Sequence, residues 1–176
     1  LSNGELWIAT NRGLNRYDYL SDSFTRYLHD PDDPTSIASA SVREVFEDST
    51  GTLWIATASG GLQRYRRESD DFEHFFTDDG LPSNTVVGIA EDDQGRIWLS
   101  TTNGIGILDP GSREVARLDE EDGIGGLEFS SNIYRDDDGS MWIGGTHGVT
   151  VIDGDPLRAA DGQASVHLTD VSISGQ

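Results

Sequence analysis

The chain has 176 residues, and its 12 basic and 32 acidic side chains give a formal net charge of −20 at pH 7. This charge argues against broad contact with nucleic acid or with an anionic membrane surface. Cysteine is absent, which excludes disulfides, thiolate nucleophiles and cysteine-based zinc sites. No apolar run approaches the length of a membrane span, so we expect no direct membrane contact, and no motif indicates a metal or a cofactor.

The four tryptophans of the chain occupy one position of a repeated pattern. In each repeat a polar turn ends in glycine and leads into a short strand that contains the tryptophan. A small-residue loop and a second strand follow. The repeat length is about 44 residues, within the range of propeller blades. The tryptophans are Trp7, Trp54, Trp98 and Trp142.

Short runs of alternating polarity, bounded by Gly, Asp, Asn and Pro, predict an all-β fold. In chain order, the first repeat begins at its second strand and lacks the inner strand. The second and third repeats each carry four strands, and the fourth carries three strands and then a loop. The predicted blades cover, approximately, residues 1–30, 40–78, 84–119 and 128–162.

The end of the chain, residues 163–176, has two interpretations. The run from Ser165 to Ser174 alternates as a strand does. It fits either the fourth strand of the last blade or the first strand of a following domain. We favour the following domain, so we expect 163–176 to be a linker or that first strand.

Four antiparallel strands in each repeat describe a β-propeller better than a solenoid. We therefore predict that residues 1–162 form a partial propeller of about four blades. A propeller must close into a ring of about four to eight blades to cover the blade faces. The missing inner strand would also leave backbone donors and acceptors unpaired. We expect a partner that closes the ring, either the remaining blades of the same polypeptide or a second copy.

The recurrent tryptophans and acidic turns are expected to be structural. The tryptophans could form an aromatic platform for a sugar or a cation, but their place inside apolar strands favours packing between blades. The acidic turns superficially resemble calcium loops. Their spacing fails, because the strand with the tryptophan follows the glycine at once. We expect the Asp side chains to cap the turns and the glycines to supply a positive φ.

Candidate ligand-binding residues lie in loops that differ among otherwise matching repeats. In a propeller, the loops between second and third strands share one rim with the connections into the inner strands, and loops commonly carry function. For each single position, a solvated loop residue remains the alternative. On this rim we expect ligand contacts from Arg12, Ser59, Asn84, Asn103, Asn132 and His147.

One longer pattern runs through nearly the whole chain. The stretch from Leu81 to Ile105 follows Leu-Pro-x-Asn-x-Val-x-x-Ile-x-Glu-Asp-x-x-Gly-x-Leu-Trp-Ile-Gly-Thr-x-x-Gly-Leu almost throughout. It resembles the two-component regulator propeller repeat. The last repeat departs from it at Leu127 to Asn132 and at Gly144-Gly145, a variant that resembles the terminal blade of such sensors. The run from Val166 to Gly175 resembles the first strand of the immunoglobulin-like domain that follows the propeller in this family.

The resemblance implies the periplasmic sensor region of a bacterial inner-membrane receptor, of the hybrid two-component or a related type. It implies a noncatalytic module that binds an oligosaccharide or another small molecule at the loop rim. A histidine kinase or a diguanylate cyclase would receive the signal, and it would lie outside this chain beyond a membrane helix.

Two other functions stay open at this point. The turn Asp-x-x-Gly-x-x-Trp also resembles the Asp-box of sialidase propellers, and some propeller lyases share blade patterns. A sialidase would need a cluster of arginines for the substrate carboxylate and a Tyr nucleophile with an acidic partner. Arg12, Arg43 and Tyr134 are present, but no motif groups them, and no histidine pair or Gly-x-Ser-x-Gly elbow appears, so we expect no catalytic residue. The third function is a protein-interaction scaffold whose acidic rim meets a basic partner.

Overall fold

Four antiparallel sheets make up the fold. The computed structural model describes residues 1–124, 126–146 and 148–157, and the backbone of a strand at 165–169. The first sheet contains β1 (Leu6–Thr10), β2 (Gly13–Asp18) and β3 (Ser23–Tyr27). The second contains β4 (Val42–Glu47), β5 (Leu53–Thr57), β6 (Leu62–Arg66) and β7 (Asp71–Phe75). The third contains β8 (Val86–Glu91), β9 (Ile97–Thr101), β10 (Gly104–Leu108) and β11 (Val115–Leu118). The fourth contains β12 (Phe129–Arg135), β13 (Met141–Gly145), β14 (Gly148–Asp153) and β15 (Ser165–Thr169).

The order of strands in each sheet follows the chain, as in propeller blades. Within the described part of the chain, the first sheet has three strands, and none of them corresponds to the inner strands of the other three sheets. This confirms the prediction of an all-β partial propeller of about four blades. Two short 3-10 helices, Thr77–Asp79 and Glu120–Asp122, precede β8 and β12. Among the described residues, no helix has the length and apolar character to cross a bilayer.

The strand β15 occupies the first of the two positions that the sequence leaves open. It pairs antiparallel with β14, from Val149 opposite Thr169 to Asp153 opposite Ser165, and it is the outer strand of the fourth sheet. An alternating run of residues predicts a strand but does not specify its pairing partner. A following immunoglobulin-like domain remains an expectation from the resemblance.

Apolar clusters fill the spaces between successive sheets. Trp7, Trp54 and Trp98 each pack on apolar side chains of the next sheet along the chain. Trp54 and Trp98 are 0% and 1% exposed. Trp142, at the same repeat position, is 37% exposed. The described residues include no fifth sheet that could cover it.

The acidic turns are held by their own first aspartate. Asp48 Oδ1 accepts hydrogen bonds from the amides of Thr50 and Thr52, both at 2.9 Å. Its Oδ2 accepts the indole N–H of Trp54 at 2.8 Å. Gly51 in this turn has φ +84°, a conformation that favours glycine. The carboxylate oxygens of Asp48 are therefore occupied by the turn and by the tryptophan.

The inner strands β4, β8 and β12 approach each other around a common centre. β8 and β12 approach closely at Gly88, where an added Cβ would lie 2.5 Å from the Cα of Asn132. Glu44 Oε2 of β4 accepts the backbone N–H of Ile89 in β8 at 2.8 Å. These contacts fix the relative positions of the three strands that line the centre.

Candidate ligand-binding site

The loop rim expected from the repeat pattern is present, and backbone hydrogen bonds connect it from sheet to sheet. In the first three sheets, the turn between the second and third strands donates to the connection that leads into the next inner strand. The N–H groups of Gly13, Gly61 and Gly104 donate to carbonyls of the next sheet's connection at 2.6, 2.8 and 2.8 Å. Hydrogen bonds therefore connect the rim from the first sheet to the fourth, and the rim lies at the ends of the inner strands.

An open cavity of about 360 Å³ lies at the centre of this rim. Amide and hydroxyl groups predominate in its wall, and one side chain is a guanidinium. The lining residues are Asn11, Ser41, Val42, Arg43, Val87, Ser130 and Asn132. Residues from four sheets thus contribute to one concave site, a common location for a small-molecule site.

β-Bulges in the three inner strands place four of these side chains in the cavity. In β4 the register shifts between Val42 and Glu44, so Arg43 is the extra residue. In β8 the shift between Val86 and Gly88 makes Val87 the extra residue. A bulge leaves its extra residue unpaired and re-aims its side chain, which is why bulges are frequent at functional sites.

The bulge in β12 is longer. Phe129 pairs with Gly145 and Ile133 pairs with Ile143, so Ser130, Ser131 and Asn132 lie opposite Gly144 alone. Ser130 and Asn132 line the cavity. The fourth sheet therefore presents more unpaired polar residues to the centre than the others do.

Arg43 is the cation of this cavity. Its side chain is exposed and makes no hydrogen bond or ion pair with any described residue. By contrast, Arg66, Arg67 and Arg96 form ion pairs with carboxylates. In a chain with a net charge of −20, an arginine that is not neutralised by an acidic neighbour is available to a ligand.

Glu44 lies half-buried behind the cavity. Its Oε1 accepts from the amide of Asn132 at 3.4 Å, and its Oε2 accepts from the backbone N–H of Ile89. Burial raises the pKa of the Glu44 carboxyl, while the hydrogen bond from Ile89 acts in the opposite sense. Glu44 therefore orients Asn132 and connects three inner strands beneath the cavity.

The structure separates the residues that the sequence proposed as ligand contacts. Asn132 lines the central cavity, and Arg12 is exposed on the adjacent turn next to Asn11. Asn84 Oδ1 accepts from the backbone N–H of Thr77 at 2.9 Å, and the Asn103 amide donates to Pro82 O at 3.2 Å. The side chains of Asn84 and Asn103 thus hold the connection into β8. His147 lies outside the described residues.

Ser59 lines a second cavity, of about 320 Å³, between the first and second sheets. Its hydroxyl is 3.1 Å from that of Ser39. His29 Nδ1 and His74 Nε2 at this cavity lie 2.9 and 2.8 Å from the backbone carbonyls of Ile37 and Ser36. Burial lowers the pKa of His74, which favours its neutral form. These histidines hold the connection between the sheets.

The sequence did not single out Arg43, Asn11 or Ser130 as ligand contacts. Their chemistry was visible, but the bulges that turn Arg43 and Ser130 toward the centre depend on pairing between strands. One signal was available, because Arg43, Val87 and Ser131 occupy the same repeat position with three different chemistries.

The residues weighed for an enzyme are not grouped, since Arg43 is in the cavity whereas Tyr134 is 65% exposed on the fourth sheet. The described residues contain no cluster of His, Asp and Glu that could hold a metal ion.

Comparison with known proteins identifies the repeats. Residues 80–103 and 123–147 match the family model described as Two component regulator propeller. The chain carries two-component regulator propeller repeats. The matched stretches include the rim turns, the acidic turns and the tryptophan strands of the third and fourth sheets, as the resemblance predicts.

The relatives that this chain matches are much longer than the chain itself. Histidine kinase P4 of Formosa agariphila is 32% identical over 139 residues, which cover 74% of this chain and 10% of the kinase. A solved extracellular domain from B. thetaiotaomicron, of a protein described as a hybrid two component system, has a TM-score of 0.74 and 27% identity. That match covers 86% of this chain and 21% of the domain. The chain therefore corresponds to a small part of each relative.

A lyase shares the fold as well. Virginiamycin B lyase from Staphylococcus aureus has a TM-score of 0.67 at 15% identity, over 97% of this chain and 54% of the lyase. At this identity the likeness shows the propeller architecture alone.

Proposed function

We propose that this chain is part of the extracytoplasmic sensor module of a bacterial two-component receptor. In this proposal the module is noncatalytic and recognises a carbohydrate or another small molecule in the central cavity. A kinase or cyclase outside the chain receives the signal. The proposal is supported by the propeller repeats, by the relative named a histidine kinase and by the solved neighbour, which is an extracellular domain.

The observation that carries the proposal is the uncommitted Arg43 among amide and hydroxyl groups. Asn11 and Asn132 both donate and accept hydrogen bonds, and the hydroxyl of Ser130 does the same. Such a set suits a polyhydroxylated ligand. Arg43 adds donors for a ring hydroxyl or for a carboxylate, and Val87 offers an apolar contact for a sugar face.

Signalling by this site would require two arrangements of the inner strands with different ligand affinity. The cavity is suited to such coupling, because its wall is formed by separate sheets that contact through Glu44, Gly88 and Asn132. A ligand that bridges Arg43 and Asn132 would favour one spacing of β4 and β12. The propeller would transmit that change to the C-terminal side of the chain.

The test is an array of neutral and uronate-containing oligosaccharides probed with the fluorescently labelled chain. We expect a defined subset to bind, and we expect Arg43→Gln to lose that binding. Arg26→Gln is the matched control, because Arg26 is an exposed arginine in the outer strand β3 and is remote in sequence from the cavity lining.

Three results would contradict the proposal. If the parent chain binds no oligosaccharide on the array, the proposed class of ligand is wrong. Equal losses in Arg43→Gln and Arg26→Gln mean that charge alone, and not the cavity, governs the signal. Cleavage of a bound oligosaccharide during incubation, detected by mass spectrometry, means that the module is an enzyme.

A further inference from the structure

Neighbouring sheets are joined by a polar pair at one repeated position. In the first three sheets, the second residue of the turn before the tryptophan strand reaches the last residue of the inner strand in the next sheet. Ser2 N and Oγ donate to the Glu47 carboxylate at 2.5 and 2.8 Å. Ser49 N and Oγ donate to the Glu91 carboxylate at 2.7 and 2.6 Å. The first two contacts thus use a serine donor and a glutamate acceptor.

The third contact has the opposite polarity. Asp93 takes the place of Ser2 and Ser49, and Arg135 takes the place of the glutamates. Arg135 Nη2 donates to Asp93 Oδ1 at 2.5 Å. The residue in the turn therefore matches the residue that it meets, since a serine faces a carboxylate and a carboxylate faces a guanidinium.

In the fourth sheet the same turn position is again acidic, but no described residue lies opposite it as a partner. Asp137 stands where Asp93 stands in the third sheet, and it is exposed and unbonded among the described residues. The apolar residues of the same face are uncovered too. Tyr134 is 65% exposed, whereas the equivalent Ala90 is 5% exposed, and Trp142 is 37% exposed, whereas Trp98 is 1% exposed.

We propose that this face of the fourth sheet, defined by Tyr134, Asp137 and Trp142, binds a further repeat sheet whose inner strand ends in arginine or lysine. The continuity of the interface supports the kind of partner, because the four sheets of this chain make three successive contacts with the same apolar packing. The charge of Asp137 supports the basic residue, because a glutamate at that place would put two carboxylates together.

A second copy of this chain does not fit the same requirement. Its uncovered sheet face is that of the first sheet, where Leu6 and Phe24 are 42% and 52% exposed. That sheet consists of β1, β2 and β3. Among the described residues it has no strand in the place of β4, β8 and β12, and therefore no residue that could meet Asp137.

The test supplies such a sheet. A copy of residues 76–118, which contain the connection and the third sheet, is joined to the full chain after Gln176. Four proteins form a double-mutant cycle. Position 137 of the full chain is either Asp137 or Asp137→Arg, and position 91 of the appended copy is either Glu91 or Glu91→Arg. Acrylamide quenching, taken as the difference between each protein and its Trp142→Phe variant, reports the accessibility of Trp142.

We expect Trp142 to be shielded in the appended proteins, relative to the unextended chain, when the charges at the two positions are opposite. We also expect the two opposite-charge proteins to be more stable than the two like-charge proteins. The coupling in the unfolding equilibrium constant should be about two- to five-fold, as for an exposed ion pair. The same cycle at Asp93 and Arg135 in the unextended chain provides the calibration.

Three results overturn the proposal. Equal stability of the four proteins would show that the inner strand opposite Asp137 need not end in a basic residue. Unchanged quenching of Trp142 in all four means that the sheet does not bind there. Shielding of Trp142 in the unextended chain that increases with protein concentration means that a second copy covers the face.

Discussion

Single carboxylates hold both a turn and a tryptophan in this molecule. The carboxylates of Asp48 and Asp92 each accept backbone N–H groups of the turn and the indole N–H of the tryptophan six residues on. The sequence predicts the capped turn, because aspartate and glycine have known turn preferences. It does not predict the bond to the indole, since that bond depends on how the strand after the turn folds back.

Asp48→Ala should lower the free energy of unfolding. The indole N–H of Trp54 is buried and would lose its acceptor, at a cost of about 1–3 kcal/mol for that group alone. Urea unfolding followed by circular dichroism measures the change. Asp137→Ala, at an exposed position of the fourth turn, is the control and should stay within about 0.5 kcal/mol of the parent. Equal stability of the two variants would show that the bond to Trp54 is unimportant.

The lowered pKa of Glu5 predicts that the stability of the fold depends on pH. Its hydrogen bonds with Arg67 first, and with Trp7, lower its pKa from 4.5 to about 2, despite partial burial. A carboxyl whose pKa is lower in the folded state stabilises the fold above its unfolded pKa, and that contribution is lost as the pH falls through the folded pKa. Between pH 4.5 and about 2, the parent should therefore lose more stability than Glu5→Gln. Parallel pH profiles of urea unfolding for the two proteins would refute this prediction.

At the scale of elements, packing between sheets depends on the tryptophan strands. Trp98→Ala should cost about 3–5 kcal/mol, because a large aromatic side chain is removed from a filled space between the third and fourth sheets. Trp142→Ala should cost less, since more than a third of Trp142 is already exposed. Thermal and urea unfolding of both variants measure the difference. Equal losses would mean that Trp98 does not stabilise the contact between sheets.

The inner strands depend on a close approach at Gly88. A Cβ at this position would lie 2.5 Å from the Cα of Asn132 and 2.7 Å from the backbone N of Ile133. Gly88→Ala should therefore force β8 and β12 apart and cost about 1–3 kcal/mol, as overpacking does. Gly111→Ala is the control, because its Cβ would meet only the movable carboxylate of Asp109, at 3.2 Å. A parent-like melting temperature for Gly88→Ala would contradict this description of the centre.

Strand existence could be predicted from the sequence, but strand pairing could not. The turn and tryptophan pattern indicated the blades and the missing inner strand of the first sheet. The bulges that expose Arg43 and Asn132 break the strict alternation that sequence reading relies on, and they are defined only by the partner strand. For the same reason β15 could be recognised as a strand before its place beside β14 was known.

At the scale of the whole molecule, three contacts between sheets with the same apolar packing surround a centre whose residues differ from sheet to sheet. The contacts repeat the packing of a tryptophan on apolar side chains of the next sheet, whereas the cavity takes residues of different chemistry from each sheet. The repeat therefore predicts the architecture in detail and the ligand hardly at all. Of the proposed rim contacts, Asn132 lines the cavity, while Asn84 and Asn103 bond to the backbone of the connection into β8.

The most direct test of the account is a calorimetric titration with the oligosaccharide that binds most strongly on the array. We predict one site per chain, with an affinity at least about ten-fold weaker in Arg43→Gln, since a hydrogen bond to a charged group contributes about 1.5–3 kcal/mol. The Arg26→Gln control should bind as the parent does. An Arg43→Gln variant that remains folded and binds with the parent's affinity would contradict recognition in the central cavity.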